Sequence, residues 1–173
     1  MAQCKRVLFC RRNNQQNNFI PSNMWKIRQA QKSDIQYVSE LFDLFRQFYF
    51  QQSDNKGALK FMSERIEKRD SIIFVADSES GIPISFVQLY PIYTSVGMKR
   101  SWLLNDLFVR EEFRQKGVAK ELIEHCKMFA TETNAAGLLL ETSKSNVEGN
   151  ALYAHTGFQL MDEVNFYFWK NKE

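Results

Sequence analysis

The chain has 173 residues, of which 44% are hydrophobic and 14% aromatic, enough for one globular domain with a buried core. It contains no run of about 18 apolar residues and no Cys/His cluster with metal-ligand spacing, so neither a membrane span nor a metal-dependent mechanism is expected. Its three cysteines form no even framework, which favours a reducing, cytoplasmic compartment over a disulfide scaffold.

The net charge of +3 conceals an uneven distribution of charged residues. Seven basic and no acidic residues lie at positions 1–33, which leaves 16 basic and 20 acidic residues in the rest of the chain. A mildly acidic body favours a cationic substrate and argues against a nucleic-acid-binding face. We therefore expect no nucleic acid among the partners.

The first 23 residues are rich in Asn, Gln and Arg and show no sustained periodicity. This composition predicts a disordered N-terminal extension, or an early start codon with Met24 as the functional beginning. A targeting segment is the other interpretation, but an apolar core followed by small residues is missing. One domain is therefore expected over residues 24–173.

The first half of this domain is predicted to contain strands and two helices. Ser33–Gln36 has the pattern of a capping box, and the apolar residues that follow recur at helical spacing through Phe48. The second helix would bury Leu59, Met62 and Ile66. The predicted elements are a strand at 25–28, a helix from 33, a helix at 58–68, and strands at 71–76 and 84–90 around a turn at 79–81.

The second half alternates strands and helices. The predicted elements are a strand at 103–109, a helix at 117–131, a strand at 138–141, a helix at 146–155 and a final strand with alternating Phe166 and Phe168. This order indicates an α/β or α+β domain with a mixed sheet. The apolar final strand, Phe166–Trp169, is also suited to the sheet of a homodimer.

The most informative stretch joins the strand at 103–109 to the following helix. It passes through a basic turn that contains Gly117. A strand that delivers such a turn onto a helix N-terminus presents several unpaired backbone N–H groups at once. Together with the helix dipole, these donors predict an anion site suited to a pyrophosphate.

Two motifs in this half match the pattern of a known family. The first is Arg or Gln, two residues, Gly, one residue, then Gly or Ala, and Arg114–Ala119 satisfies it. The second is an Asn followed by a short helix that ends in Leu-Tyr and then Gly-Phe, as in Asn146, Leu152-Tyr153 and Gly157-Phe158. On these motifs the chain resembles the GNAT superfamily of N-acetyltransferases. The residues of Asn105–Val109 are most similar to those of small members that act on polyamines, amino acids or histone tails.

The resemblance implies a single domain whose mixed, mostly antiparallel sheet is flanked by helices and splayed at an acetyl-CoA site. Backbone amides of the basic turn would bind the pyrophosphate, and the pantetheine arm would pair with the strand edge. Asn146 would contact the pantetheine arm, although an Asn there also suits a helix N-cap, and the two roles can coexist. The implied acetyl-CoA contacts are Leu107, Phe108, Val109, Arg114, Gln115, Lys116, Gly117, Val118, Ala119, Lys120 and Asn146.

The resemblance also implies Tyr153 as the catalytic acid, because a phenol can protonate a departing thiolate. A ring that only packs on the core is the alternative. The general base is less defined, because polyamine acetyltransferases carry a Glu where this chain has Asn105. Asp106 is the expected base, through water or a local bulge, and Glu141 is a second candidate. Either carboxylate is equally consistent with a structural role.

The resemblance therefore predicts an acetyl-CoA-dependent N-acetyltransferase that acts by direct attack of a primary amine. The acceptor is left open among polyamines, amino acids and peptide or protein amines. We expect it near Phe45 and Tyr49 and near a connection at 90–93. The alternative is a CoA-binding sensor or scaffold without turnover, whereas a dinucleotide-binding oxidoreductase is excluded because Gly-x-Gly-x-x-Gly is missing.

Overall fold

A five-stranded sheet in the order β1-β2-β3-β4-β5 organises the computed structural model, which describes residues 25–171. The predicted extension at 1–23 lies outside these residues. Neighbouring strands pair antiparallel except β4 and β5, which are parallel. The elements are β1 Lys26–Gln29, α1 Ile35–Phe48, α2 Asn55–Lys68, β2 Ile72–Asp77, β3 Pro83–Thr94, β4 Lys99–Val109, α3 Val118–Glu132, β5 Leu138–Leu139 and α4 Val147–His155, with short 3-10 turns at Lys32–Asp34 and Glu111–Phe113.

Helices cover both faces of the sheet, which confirms the predicted α/β class. The apolar stripes of α1 and α2 pack on one face around Val38, Met62 and Phe86. The stripe of α3 packs on the other face around Leu122 and Trp102. The two cores bury fully enclosed side chains on opposite sides of β3 and β4, so these strands form the packed centre of the domain.

The start of α1 is held differently from the sequence prediction. The predicted capping box at Ser33–Gln36 is wrong, because Asp34 accepts the backbone amide of Gln31 at 2.8 Å and a short 3-10 turn precedes the helix. Asp34 also accepts from Arg28, which donates to Asp77 as well. One guanidinium thus bridges two carboxylates and ties the start of α1 to β1 and β2.

The second helix begins three residues earlier than predicted. The side chain of Asp54 accepts the amide of Gly57 at 2.9 Å and caps α2, which therefore starts at Asn55. Ala58 and Met62 are its buried residues, whereas Leu59, which was expected in the core, is 38% exposed. The helix therefore packs through Ala58 and Met62 and turns Leu59 toward the surface.

The predicted final strand is wrong, because residues 158–171 contain no helix or strand. The side chains of Phe166–Trp169 are 72% to 90% exposed. An alternating apolar pattern forms a strand only beside a free edge of matching length, and β5 offers two residues. The homodimer based on this strand stays a prediction.

None of the helices within residues 25–171 is long and apolar enough to cross a bilayer. The cytoplasmic compartment stays a prediction. The predicted mixed, mostly antiparallel sheet is confirmed, and the place where it opens defines the candidate site.

Candidate active site

The sheet opens between β4 and β5. These strands pair at only two positions, Trp102 with Leu138 and Leu103 with Leu139, and then diverge. The amide of Arg110 donates to the carbonyl of Ile84 on β3. Since backbone groups alternate in direction along a strand, the peptide groups of Leu107 and Val109 point away from β3, into the opening. The splay implied by the family resemblance is therefore present.

A β-bulge at Asn105 divides β4 into two parts. Asp106 pairs with Gln88 and Leu104 with Leu89, so Asn105 has no partner on β3. Before the bulge, Leu104 faces the α3 core; after it, Phe108 faces the α1 and α2 core. The extra residue thus turns the strand over and carries Asp106 to the α1 side of the sheet.

The basic turn after β4 forms a cradle of backbone amides. Gln115 and Gly117 have φ values of 58° and 91°, and the first helical hydrogen bond of α3 runs from Glu121 N to Gly117 O at 3.0 Å. The amides at 118–120 therefore have no intrahelical partner and point out of the helix. A Cβ built on Gly117 would meet no protein atom within 4 Å, so the space beside it is open.

Arg114 holds this turn against the end of β4. Its Nε donates to the carbonyl of Val109 at 3.0 Å. Its guanidinium lies 5.5 Å from the ring centre of Phe108 and 5.6 Å from that of Phe48. Arg114 therefore adds charge next to the amides and also fixes the turn on aromatic rings.

The opening contains a cavity of about 390 Å³, which we call the loop cavity. Of the predicted acetyl-CoA contacts, only Lys116 does not line it; its Nζ lies 5.4 Å from the ring centre of Phe113. The residues that line the cavity are Phe45, Phe48, Tyr49, Leu107, Phe108, Val109, Phe113, Arg114, Gln115, Gly117, Val118, Ala119, Lys120, Asn146, Glu148, Gly149, Leu152 and Tyr153.

Asn146 is the N-cap of α4. Its Oδ1 accepts the amide of Gly149 at 3.1 Å, and its Nδ2 donates to Thr142 Oγ1 at 2.9 Å. The N-cap role predicted for Asn146 is therefore confirmed. Because the same side chain lines the loop cavity, the ligand role is compatible with the cap.

Tyr153, on α4, also lines the loop cavity. The ring is half-buried and lies edge-on to Phe158, with the ring centres 5.9 Å apart. Burial raises the pKa of Tyr153, and the nearby Tyr49 hydroxyl raises it further. A phenol with a raised pKa stays protonated at neutral pH, as a proton donor must.

A second cavity of about 530 Å³, here the polar cavity, adjoins the first through Phe45 and Tyr49, which line both. The other residues that line it are Arg46, Gln51, Asn105, Glu141, Thr142 and Ser143. The connection expected at 90–93 is wrong, because these residues lie inside β3 and are absent from both linings. Arg46 and Gln51 were missed, although Arg46 lies within the aromatic stripe of α1 and Gln51 comes shortly after the helix.

The two carboxylates proposed as bases lie in different environments. Asp106 is buried, does not line either cavity, and accepts from Nδ2 of Asn105 at 3.1 Å. Burial raises the pKa of Asp106, and the hydrogen bond from Asn105 opposes this effect. Glu141 is exposed and lines the polar cavity directly.

Proteins of similar sequence and fold are acetyltransferases. The acetyltransferase (GNAT) family model matches residues 38–158. An uncharacterized N-acetyltransferase of Bacillus subtilis is 41% identical over 133 residues, which is 77% of this chain and 89% of that protein.

Two solved structures are also similar. The crystal structure of a probable acetyltransferase is 32% identical with a TM-score of 0.81, covering 86% of this chain and 99% of that one. An aminoglycoside N-acetyltransferase in complex with CoA is 23% identical with a TM-score of 0.72, covering 85% of this chain and 95% of that one, and it supports the fold alone.

Proposed function

The chain belongs to the acetyltransferase (GNAT) family, and from this premise we propose that it transfers an acetyl group from acetyl-CoA to a primary amine by direct attack. The observation that carries the proposal is one cavity that is lined both by the residues of the amide cradle and by Tyr153. Gly117 lies at one part of its wall and Tyr153 at another.

The loop cavity fits the CoA part of acetyl-CoA. The amides at 118–120 lack intrahelical partners, and the dipole of α3 favours a negative group in front of them. The space beside Gly117 is free of protein atoms, so a pyrophosphate can approach the backbone closely. The backbone groups of Leu107 and the N–H of Val109 supply a strand edge for the amides of the pantetheine arm, whereas the carbonyl of Val109 accepts from Arg114.

Direct attack is favoured over an acyl-enzyme because no nucleophilic cysteine reaches the cavity from the part of the chain that the structure describes. Cys126, the cysteine within residues 25–171, is fully buried in the α3 core. Burial raises the pKa of its thiol to about 12, so the nucleophilic thiolate is scarce at neutral pH. The amine nitrogen would thus form the new N–C bond itself while the C–S bond breaks.

Three proton transfers complete the reaction, because the nitrogen of an ammonium loses two protons on becoming an amide. Tyr153 would donate its hydroxyl proton to the departing thiolate sulfur and recover a proton from the nitrogen as the amide forms. A carboxylate must take a proton from the incoming ammonium, because freeing an amine of pKa ~10.4 costs about 4.6 kcal/mol at pH 7. We assign this step to Asp106, acting through water beside Asn105, and Glu141 is the second candidate because it lines the polar cavity.

Two variants separate the candidate bases. In Asp106→Asn, kcat should fall about 10²-fold, and the limb of the pH–rate profile that follows the titration of Asp106 should be replaced by one that follows the titration of the amine. Burial raises the pKa of Asp106, so that limb should lie at higher pH than for an ordinary aspartate in the parent enzyme. In Glu141→Gln, KM for the amine should rise while kcat at saturation changes little. If kcat falls in Glu141→Gln and not in Asp106→Asn, the two roles are exchanged.

The function itself is tested by CoA protection and by thiol release. Saturating CoA should raise the melting temperature, because it binds the folded chain only. Acetyl-CoA should release thiol at a rate that depends on the amine across a panel of amino acids, polyamines and peptides. Thermal protection without thiol release for any amine would contradict the enzyme and favour a sensor or scaffold.

A further inference from the structure

We propose that the acceptor is a primary amine that also carries a carboxylate, held in the polar cavity between Arg46 and Glu141. The inference rests on the proposed function in one respect, that the polar cavity receives the acceptor. It goes beyond that function by naming the chemical class of the acceptor.

Arg46 has hydrogen-bonding capacity to spare. Its Nη1 donates to Asp43 Oδ1 at 3.2 Å and to the carbonyl of Gln52 at 3.4 Å. Its Nε and Nη2 have no hydrogen-bond partner among residues 25–171, and the side chain is 29% exposed where it lines the cavity. A guanidinium offers five donors in a planar fork, so a second carboxylate can join the first.

The buried carboxylate of Asp43 does not occupy all the donors of Arg46, because it is also bound by other donors. It accepts from Gln47 Nε2, Ser53 Oγ and the amide of Asp54, at 2.7 Å to 2.9 Å. Burial acts to raise the pKa of Asp43, but these hydrogen bonds and the charge of Arg46 hold it below its ordinary value. Arg28 shows that a guanidinium of this chain binds two carboxylates at once, those of Asp34 and Asp77.

Glu141 supplies the opposite charge from another element. It follows β5, is exposed, and has no ion-pair partner among the residues that the structure describes. Arg46 lines the cavity from the last turn of α1, so the two charges lie on different elements. Phe45 and Tyr49 form the aromatic wall shared with the loop cavity, where the amine must meet the acetyl group.

The donor geometry of Arg46 selects a carboxylate over other groups. Among residues 25–171, Arg46 is the one basic residue that lines the polar cavity, and Asp43 already balances its charge. Its unpaired Nε and Nη2 offer two donors, which match the two oxygens of one carboxylate. A phosphate dianion would need a second cation. A polyamine has no acceptor for these donors. The cavity therefore favours an amino acid over a polycation.

The test compares each acid with the amine left when its carboxylate is removed: alanine with ethylamine, and 4-aminobutyrate with propylamine. For at least one pair, kcat/KM should be tenfold or more higher for the acid. Arg46→Gln should abolish this preference by raising KM for the acid toward that of its amine. Arg46→Lys is the control for folding, because it keeps a cation beside Asp43. Arg110→Gln is the control for charge, because it removes an equivalent charge outside both cavities, and it should keep the preference.

A binding measurement separates this inference from the proposed function. Calorimetry on the CoA-saturated protein should show the acid binding at least tenfold tighter than its amine, and Arg46→Gln should remove the difference. That result without any acetyl transfer would sink the proposed function and keep the binding site. Acetyl transfer to amines with no preference for the carboxylate, or a preference that survives Arg46→Gln, would overturn the inference and leave the function standing.

Discussion

Tyr153→Phe is expected to lower kcat by about 10²- to 10⁴-fold, the range typical of a positioned general acid. The hydroxyl is the one group removed, and the ring keeps its edge-on contact with Phe158. The departing thiolate would then have to take its proton from water. CoA affinity and melting temperature should stay close to those of the parent protein.

The pH dependence gives an independent readout of the same residue. The acid must be protonated, and burial raises the pKa of Tyr153, so activity should persist to a higher pH than an ordinary tyrosine would allow. Tyr93→Phe is the matched control, because Tyr93 is 77% exposed on β3 and lines neither cavity. A loss below about tenfold in Tyr153→Phe would remove this residue as the principal acid.

Gly117→Ala is expected to weaken CoA binding at least tenfold, about 1.4 kcal/mol. The added methyl would meet no protein atom within 4 Å, so it would occupy the space that the pyrophosphate needs. The φ of 91° also strains any residue with a Cβ, at a cost of roughly 1–2 kcal/mol. Calorimetric titration with CoA and thermal unfolding measure the two effects separately.

Gly81 provides the control for backbone strain. It has a φ of 77°, and an added Cβ there would also meet nothing within 4 Å, but it lies in the turn between β2 and β3 and lines neither cavity. Gly81→Ala should therefore lose similar stability and keep full CoA affinity. Equal affinities in Gly117→Ala and the parent protein would show that CoA does not bind across this turn.

Most of the fold was predictable because its elements carry strong local signals. The apolar stripe of α1 buries one helix face, and the continuous apolar runs of β2 and β3 are buried on both faces of the sheet. The basic turn was predictable from Gly117 because few residues accept its backbone angles. The ends of elements were less predictable. Asp34 accepts a tertiary hydrogen bond from Arg28, and Asp54 caps α2 by accepting the amide of Gly57.

The failures concern contacts between distant segments. The final strand lacked a sheet edge long enough to receive Phe166–Trp169, which no local pattern reveals. The polar cavity joins the end of α1 to residues after β5, so Arg46 and Glu141 meet only in three dimensions. The bulge at Asn105 depends on the register between β3 and β4, which alternation alone leaves open.

That unpaired residue has a consequence for how selectivity is encoded. The side chain of Asn105 belongs to neither hydrophobic layer and projects into the polar cavity, while its neighbours Leu104 and Asp106 are buried on opposite faces. Replacing Asn105 would change a chemical group on the wall of the polar cavity and remove its hydrogen bond to Asp106, while the apolar side chains of both layers stay in place. At this position a change of sequence alters the cavity and leaves the architecture of the sheet constant.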